Sequence, residues 1–321
     1  MRLTSGAAGA RHENGGGQVA ETLQGQASPE TTAPATAGIQ RVGVVGCGLM
    51  GSGIAETCAR AGLDVLVREV DAGAVEAGRR RITASLDRGA RSGKLSEVDR
   101  DAALARLSFT TDLGDFTDRQ FTVEAIAENE QAKTEIFAAL DKVVADPAAI
   151  FSSNTSSIPI MKLGMATGRP DQVLGVHFFN PVPVMKLVEL VPSLLTSDET
   201  LTRTQSFVTS TLHKEVIRSQ DRAGFVVNAL LVPYLLSAIR MQESGFASAE
   251  DIDLGMVLGC AHPMGPLRLI DLIGLDTVKA VAESLYDEFK EPLYSPPPLL
   301  LRMVDAGLLG KKSGRGFHRY A

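Results

Sequence analysis

The 321-residue sequence contains no tryptophan, only three cysteines and 5% aromatic residues. The cysteines, Cys47, Cys58 and Cys260, are too few and odd in number for a framework of disulfides, which excludes the small disulfide-stabilised class. Free thiols are typical of a reducing compartment. We therefore expect a cytoplasmic protein.

The chain also lacks an excess of basic residues. Lysine and arginine together number 32 against 38 acidic residues, which gives a formal net charge of −6. Proteins that bind nucleic acids broadly need a basic surface, so no nucleic-acid partner is expected. Anionic small molecules stay open as ligands, because a few local cations can hold a phosphate.

No apolar segment is long enough for a membrane span. The most apolar run, residues 225–239, contains Asn228 and Pro233, whereas a helix needs about 20 apolar residues to cross a bilayer. The first forty residues carry Arg2 and Arg11 but no apolar core of signal-peptide length. We expect a soluble protein with no membrane partner.

Length and composition predict two folded domains behind an unstructured extension. At about 150 residues per domain, the chain is long enough for two. Residues 1–39 contain no aromatic residue and are rich in glycine, alanine, threonine and serine, which is typical of disorder. We expect one domain at residues 40–222 and a second at residues 223–321.

Strand and helix patterns alternate through the first of these domains. Strands are predicted near residues 41–45, 65–67, 107–109, 121–126, 149–151 and 173–176, and helices at 50–61, 71–91, 96–106 and 131–144. This alternation predicts an α/β domain with a parallel sheet and right-handed crossovers. After residue 222 only helical patterns follow, so the second domain is predicted to be all-helical.

The first predicted strand leads into a glycine-rich turn. Residues 42–51 read VGVVGCGLMG, so Gly46, Gly48 and Gly51 have the G-x-G-x-x-G spacing. The first glycine allows the tight turn, the second lets the backbone approach a pyrophosphate, and the third lets the helix pack closely. Glu69 follows at the end of the second predicted strand, where an acidic residue binds the adenosine ribose.

This pattern predicts a Rossmann-type domain that binds NAD. Glu69 would repel the 2′-phosphate of NADP, although Arg68 beside it leaves NADP open, because an arginine here can accommodate that phosphate. The residues predicted to contact the cofactor at this turn are Gly46, Gly48, Leu49, Met50, Gly51 and Glu69.

His177 is the histidine best placed for catalysis. It follows the apolar strand at residues 173–176, at the sheet edge where open α/β folds bind ligands, and Glu189 lies in a second strand-like run at 187–190. A histidine can accept an alcohol proton, and a carboxylate can fix its tautomer. Periodicity alone leaves open whether the two side chains touch. Three other histidines show no carboxylate in a matching register and are expected to be packing or surface residues: His213, His262 and His318.

Further motifs then follow in order along the chain. They are SNTSS at 153–157, HFFNPVP at 177–183, GFVVN at 224–228, PMGP at 263–266, GLD at 274–276 and GKKSG at 310–314. Together they closely resemble L-3-hydroxyacyl-CoA dehydrogenases over about residues 40 to 320. The single helical C-terminal domain is most like the bacterial stand-alone 3-hydroxybutyryl-CoA dehydrogenase branch.

The resemblance implies the reaction and its catalytic residues. The activity would be NAD-dependent oxidation of an (S)-3-hydroxyacyl-CoA, of short chain such as 3-hydroxybutyryl-CoA, to the 3-ketoacyl-CoA, and the reverse. His177 would remove the hydroxyl proton with Glu189 as its orienting partner. Ser156 and Asn228 would hydrogen-bond the substrate oxygen. No metal is expected.

The resemblance also implies further contacts and an assembly. Glu128 and Lys133 match positions near the nicotinamide and its ribose, and Asn154 and Asn180 are included among the cofactor contacts. Asn180 would also belong to the polar cluster around the substrate. The helical domain would close the cleft and form a homodimer. The reaction would belong to fatty-acid or butyrate metabolism, with chain length and direction left open.

A basic segment predicts where the CoA phosphates bind. Residues 79–94 contain six basic residues and one acidic residue, Asp87, which gives a local net charge of +5. Arginine forks suit phosphate, so we expect substrate contacts from Arg79, Arg80, Arg88 and Lys94. Two alternatives remain: a dehydrogenase of a non-CoA hydroxy acid, and a non-catalytic NAD-binding structural protein.

Overall fold

The computed structural model describes residues 38–320 of the chain. Within them the strands are β1 (Arg41–Val45), β2 (Asp64–Arg68), β3 (Leu107–Thr110), β4 (Phe121–Glu124), β5 (Ile150–Ser153), β6 (Val173–Phe178), β7 (Leu187–Pro192) and β8 (Glu215–Arg218). The helices are α1 (Leu49–Arg60), α2 (Ala72–Arg91), α3 (Glu97–Ala105), α4 (Glu130–Val143), α5 (Ile160–Gly164), α6 (Asp198–Ser206), α7 (Val227–Glu243), α8 (Ala249–Cys260), α9 (Pro266–Ile273), α10 (Leu275–Phe289) and α11 (Pro298–Asp305). All but the last two residues of the predicted disordered extension lie outside the described range.

The strands form one sheet in the order β3-β2-β1-β4-β5-β6-β7-β8. Strands β1 to β6 are all parallel to one another, so the predicted Rossmann-type parallel sheet is confirmed there. The prediction of a parallel sheet does not hold for strand β7, which runs antiparallel to β6. The connection at residues 179–186 is too short for a crossover and long enough for a hairpin.

Strand β8 was not predicted from the sequence. It lies at the sheet edge, parallel to β7, and its two end residues, Glu215 and Arg218, are exposed. A short strand with a polar periphery carries little of the apolar signal on which strand prediction depends. Its placement beside β7 therefore follows from tertiary packing.

The sheet has an apolar core on each face. One cluster includes Val44 of β1, Ile54 of α1 and Ile82 of α2, and the other includes Val45 of β1 and Phe137 of α4. Consecutive β1 residues thus point into opposite clusters, as expected for a strand covered on both faces. The helices hold the central strands in a layer with little exposure to solvent.

The glycine-rich turn positions the start of α1. Gly46 has a φ of +92°, in the left-handed region that glycine adopts without strain. A Cβ on Gly51 would lie only 1.8 Å from the carbonyl oxygen of Gly46. These two glycines let α1 begin directly above the end of β1.

Helices α7 to α11 form a separate apolar cluster around Leu235, Leu236, Leu267 and Ile270. Within residues 219–320 the only strand-type pairings are isolated bridges, so the predicted all-helical C-terminal part is confirmed. No helix in the described part of the chain is both long and apolar enough to span a membrane.

His318 is a buried packing residue with a carboxylate partner that its local register does not reveal. Its Nε2 lies 2.7 Å from Oδ2 of Asp253, and its backbone N–H donates to Asp271 over 2.8 Å. The Tyr320 hydroxyl donates to the same Asp271 carboxylate over 2.9 Å. These bonds fasten the C-terminal segment to α8 and α9. Residues 65 positions apart form the histidine pair, so local spacing carries no sign of it.

Candidate active site

The carboxyl ends of β1, β4, β5 and β6 bring the candidate residues to one edge of the sheet. The glycine-rich turn follows β1, and Glu124, Ser153 and His177 stand at or near the ends of the next three strands. Because β7 is antiparallel to β6, its register places Glu189 directly beside His177. His177 and Glu189, which lie in separate apolar runs of the sequence, are therefore neighbours in the sheet.

His177 and Glu189 form a buried pair. The Nδ1 atom of His177 lies 2.7 Å from Oε2 of Glu189, and the other carboxylate oxygen accepts from the backbone amides of Val226 and Val227 over 3.1 and 2.9 Å. Glu189 is fully buried and His177 is 5% exposed. A carboxylate at Nδ1 favours the tautomer that carries its proton there, which leaves Nε2 of the neutral ring as the acceptor.

The free side of the imidazole faces Ser156. Nε2 of His177 lies 3.2 Å from the Ser156 hydroxyl oxygen. The rings of Phe179 and Phe225 stand edge-on to the imidazole, with centroids 4.7 and 5.5 Å away. These contacts restrict the ring and orient Nε2 toward the residues that follow β5.

Ser156 lines a cavity of about 660 Å³ that also reaches the glycine-rich turn. Its walls come from the turn (Gly48, Leu49, Met50), the segments after β4 and β5 (125–128 and 154–158, except Thr155), Glu130, Lys133 and one face of α10. On α10 the lining residues include Thr277, Ala280 and Ser284. The cavity is therefore closed on one side by the helical part of the chain, and it brings the predicted cofactor residues close to His177.

Lys133 is buried beneath this cavity. Its side chain is 1% exposed, and Nζ lies 2.7 Å from Glu124 and 3.2 Å from Glu128. A lysine this deeply buried requires compensating charges. Its two carboxylate neighbours supply them.

Glu128 holds the loop that carries Ser156. One carboxylate oxygen accepts from the Thr155 hydroxyl and from the backbone amides of Ser156 and Ser157, the latter two over 3.0 and 3.2 Å. Burial raises the pKa of Glu128, but the Lys133 ammonium and the bonds from Thr155 and Ser156 outweigh it, so that the pKa lies below its ordinary value. Glu128 is thus held in its ionised form.

Glu124 is a site residue that the sequence reasoning missed. It is fully buried and accepts from the Ser153 hydroxyl over 2.6 Å, from the Ile126 amide over 2.7 Å and from Lys133. A lone carboxylate within the apolar run at 121–126, with a lysine nine residues later, was the available signal. Its three kinds of donor fix the base of the cavity.

Glu69 stands against the glycine-rich turn. Its Oε1 accepts from the Cys47 amide, and the Gly46 amide donates to the Arg68 carbonyl over 2.9 Å. Burial raises the pKa of the Cys47 thiol to about 12, and the neighbouring Glu69 acts in the same direction. The thiol therefore stays protonated.

The three predicted asparagines have different surroundings. The side-chain oxygen Oδ1 of Asn154 accepts from the Phe178 amide over 2.8 Å, which ties the end of β5 to β6. Asn228 lies in the first turn of α7, next to the amides held by Glu189. Asn180 is exposed and lines a separate cavity of about 90 Å³. The 660 Å³ cavity includes Asn154 but neither of the other two.

The predicted basic segment does not form one patch. Arg88 and Lys94 line a cavity of about 420 Å³ beside Pro181 and Pro183. Arg79 and Arg80 instead pair with Glu76 at 3.8 and 3.6 Å, and Arg81 donates to the Cys47 carbonyl. Consecutive helical residues point in different directions, so the local charge count overstated the number of free cations.

Comparison with known proteins gives matches over nearly all of the described residues. Residues 41–222 match the family model "3-hydroxyacyl-CoA dehydrogenase, NAD binding domain", and residues 224–320 match "3-hydroxyacyl-CoA dehydrogenase, C-terminal domain". The chain is 62% identical over 282 residues to a 3-hydroxybutyryl-CoA dehydrogenase of Mycobacterium tuberculosis, covering 88% of this chain and 99% of that protein.

Two solved structures also match the chain over most of its length. Mycobacterium tuberculosis FadB2 has a TM-score of 0.88 at 61% identity, covering 89% of this chain and all of that one. The (S)-3-hydroxybutyryl-CoA dehydrogenase PaaH1 of Ralstonia eutropha has a TM-score of 0.83 at 46% identity, covering 88% of this chain and 99% of that one.

We expect Glu128→Gln to remove an acid-dependent part of the stability. Because the folded-state pKa of Glu128 lies below its ordinary value of 4.5, its ionised form stabilises the fold above that value, and the contribution is lost as the pH falls through the lowered pKa. Urea unfolding at several pH values should therefore give a difference between wild type and variant that shrinks below pH 4.5. Glu135→Gln, at an exposed site on the following helix α4, controls for the substitution itself. A difference independent of pH would contradict the expectation.

Proposed function

Because the chain belongs to the 3-hydroxyacyl-CoA dehydrogenase family, we propose that it oxidises (S)-3-hydroxybutyryl-CoA to acetoacetyl-CoA and catalyses the reverse reduction. The chain is an NAD-dependent oxidoreductase with an NAD-binding domain of that family. The observation that carries the proposal is the His177–Glu189 pair, whose free nitrogen meets Ser156 on a cavity shared with the glycine-rich turn.

The residues at the turn fit NAD. Helix α1 begins after Gly48 with no side-chain cap and no acidic residue in its first turn, so its positive end is open to an anion. A Cβ on Gly48 would meet nothing within 4 Å, and Gly48 lines the large cavity. This opening suits a pyrophosphate, and Glu69 beyond it suits the ribose hydroxyls. NAD held there would supply the acceptor for the hydride from C3 of the substrate.

His177 is proposed as the general base. Its Nε2 accepts the proton of the 3-hydroxyl, and Glu189 stabilises the imidazolium that forms. Because Glu189 is fully buried and bonded to two amides, it keeps the ring in one orientation during the transfer. In the reduction of the ketone the same nitrogen returns the proton.

Ser156 and Asn228 are proposed to hydrogen-bond the reacting oxygen. Ser156 is already within reach of His177 and is held by Glu128. Asn228 starts the helix whose first amides are bound to Glu189, so the same carboxylate fixes both the base and the neighbourhood of this amide side chain. Glu128 and Lys133 are proposed to border the nicotinamide and its ribose.

The CoA portion is proposed to lie along Arg88 and Lys94. Both line the 420 Å³ cavity next to the loop that follows His177, and cationic side chains hold phosphates by charge-assisted hydrogen bonds. Arg79 and Arg80 are less suited to this role, because both are already paired with Glu76.

The reaction is tested by the oxidation of NADH, followed by absorbance, with acetoacetyl-CoA and then with free acetoacetate. We expect turnover with the thioester and a much lower kcat/KM with the free acid, because the acid lacks the groups that Arg88 and Lys94 would hold. Equal rates with both would favour a dehydrogenase of non-CoA hydroxy acids. Binding of NADH without turnover on either would favour a non-catalytic protein.

His177→Ala should lower kcat by about 10²- to 10⁴-fold, the usual contribution of a general base, with little change in the affinity for NADH. Steady-state kinetics and NADH fluorescence titration measure the two effects. His262→Ala serves as the matched control, because His262 contacts Tyr234 in the helical part. Near-normal turnover of the His177 variant would remove this residue from the mechanism.

We further propose that the chain acts as a homodimer in the cytoplasm and that its two domains meet at residues 222–223. The free thiols, two of them buried, support the compartment. Helices α7, α8 and α9 contact one another and support the dimer. Large exposed apolar side chains mark interaction sites when they gather on one surface. These helices expose four such side chains, those of Leu230, Leu254, Leu258 and Leu272.

We expect sedimentation analysis to give the mass of two chains. Leu258→Glu should dissociate them, because Leu258 is 75% exposed in the single chain and a charge there would be buried in the interface. Leu194→Glu is the control, on a leucine outside these helices that is 95% exposed. A monomeric wild type, or dissociation by both variants, would count against this surface.

A further inference from the structure

Phe225 has a backbone conformation that is unusual for a bulky residue. Its φ is +48°, and Gly224 before it has a φ of +76°. Glycine adopts this left-handed region without strain, whereas a bulky residue there is a genuine outlier. Such conformations cost free energy, persist only where the surroundings hold them, and cluster at functional sites. The two residues form a turn just before α7, which we call the entry turn.

The backbone around the entry turn contacts two parts of the candidate active site. The Gly224 amide donates to the carbonyl of Ser156 over 3.3 Å. The two amides that follow the turn, those of Val226 and Val227, donate to the carboxylate of Glu189 over 3.1 and 2.9 Å. Hydrogen bonds on both sides of the turn therefore hold its left-handed conformation.

The side chain of Phe225 packs against the sheet rather than the helical part. It is 7% exposed and belongs to the apolar cluster on one face of the sheet, together with Ile158 and Ile160. Its ring stands edge-on to the imidazole of His177, with the ring planes at 63° and the centroids 5.5 Å apart. In a close-packed interior, a neighbour at this distance restricts the movement of the imidazole.

Resting on the proposed function, we infer that Phe225 is a positioning residue for the general base. Glu189 holds the imidazole by one hydrogen bond at Nδ1, and the terminal torsion of a histidine has only broad preferences of its own. The Phe225 ring limits this torsion, so that Nε2 stays directed at the Ser156 hydroxyl, 3.2 Å away.

The left-handed backbone of Phe225 serves both contacts at once. It places the ring beside the imidazole while the next two amides reach the carboxylate behind it. A displacement of about 1 Å at a reacting group can lower a rate about 10²-fold. The strain of the entry turn is therefore matched by a precise position of Nε2.

Phe225→Leu tests the inference, because leucine keeps an apolar side chain in the buried site but lacks the flat ring. We expect kcat for the reduction of acetoacetyl-CoA to fall about 10- to 100-fold, with KM for acetoacetyl-CoA and for NADH close to the wild-type values. Phe225→Gly removes the ring and also relieves the backbone strain, and its kcat should fall at least as far. Steady-state kinetics measures these effects, and urea unfolding shows that the variants are folded.

A combination with His177→Ala separates positioning from packing. If Phe225 acts through the imidazole, Phe225→Leu should not lower kcat any further once the imidazole is absent, since residues that act as a unit have non-additive effects. A general packing defect would instead lower kcat by the same factor with and without His177.

Phe207→Leu is the matched control. Phe207 is 5% exposed, has an aromatic neighbour, Phe121, at 4.8 Å, and lies in the apolar cluster on the other face of the sheet. It should lose stability but keep the wild-type kcat. A wild-type kcat for Phe225→Leu, a raised KM without loss of kcat, or equal losses with and without His177 would overturn the inference. A wild type without turnover would instead overturn the proposed function, and this inference with it.

Discussion

The buried carboxylate of Glu189 is the interaction on which the site depends. A fully buried anion is unfavourable unless donors surround it, and this one has three, from the His177 ring and from the amides of Val226 and Val227. The ring belongs to the sheet and the amides to the entry of α7. One side chain therefore ties the imidazole of His177 to the beginning of the helical part, so that neither is free to shift without leaving the charge unpaired.

A second buried network supports the opposite side of the cavity. Lys133 forms ion pairs with both Glu124 and Glu128. Glu128 also accepts hydrogen bonds from the backbone amides of Ser156 and Ser157. The Glu128 carboxylate thus holds the loop that carries Ser156, while His177 contacts the Ser156 hydroxyl. The position of this hydroxyl is set by two networks that have no residue in common.

The sequence could predict those features that depend on neighbouring residues. The β1 strand, the glycine-rich turn and α1 follow from local periodicity and from the conformations that Gly46 allows. The direction of β7, the edge strand β8 and the His318–Asp253 contact follow from pairings between distant segments, for which local pattern has no signal. The family resemblance supplied His177 and Glu189 as partners, but not Glu124, whose role appears only when β4, β5 and α4 are packed together.

Helix α1 lines two different cavities of the molecule. Its start, at Gly48 and Leu49, lines the 660 Å³ cavity, while Glu56 and Arg60 farther along the helix line the 420 Å³ cavity. Gly53 allows this arrangement, because a Cβ there would lie 2.9 Å from the side chain of Val182 in the loop after β6. The loop can therefore pack directly on the helix. Since that loop begins directly after β6, which carries His177, the close packing sets the distance between the His177 imidazole and the start of α1.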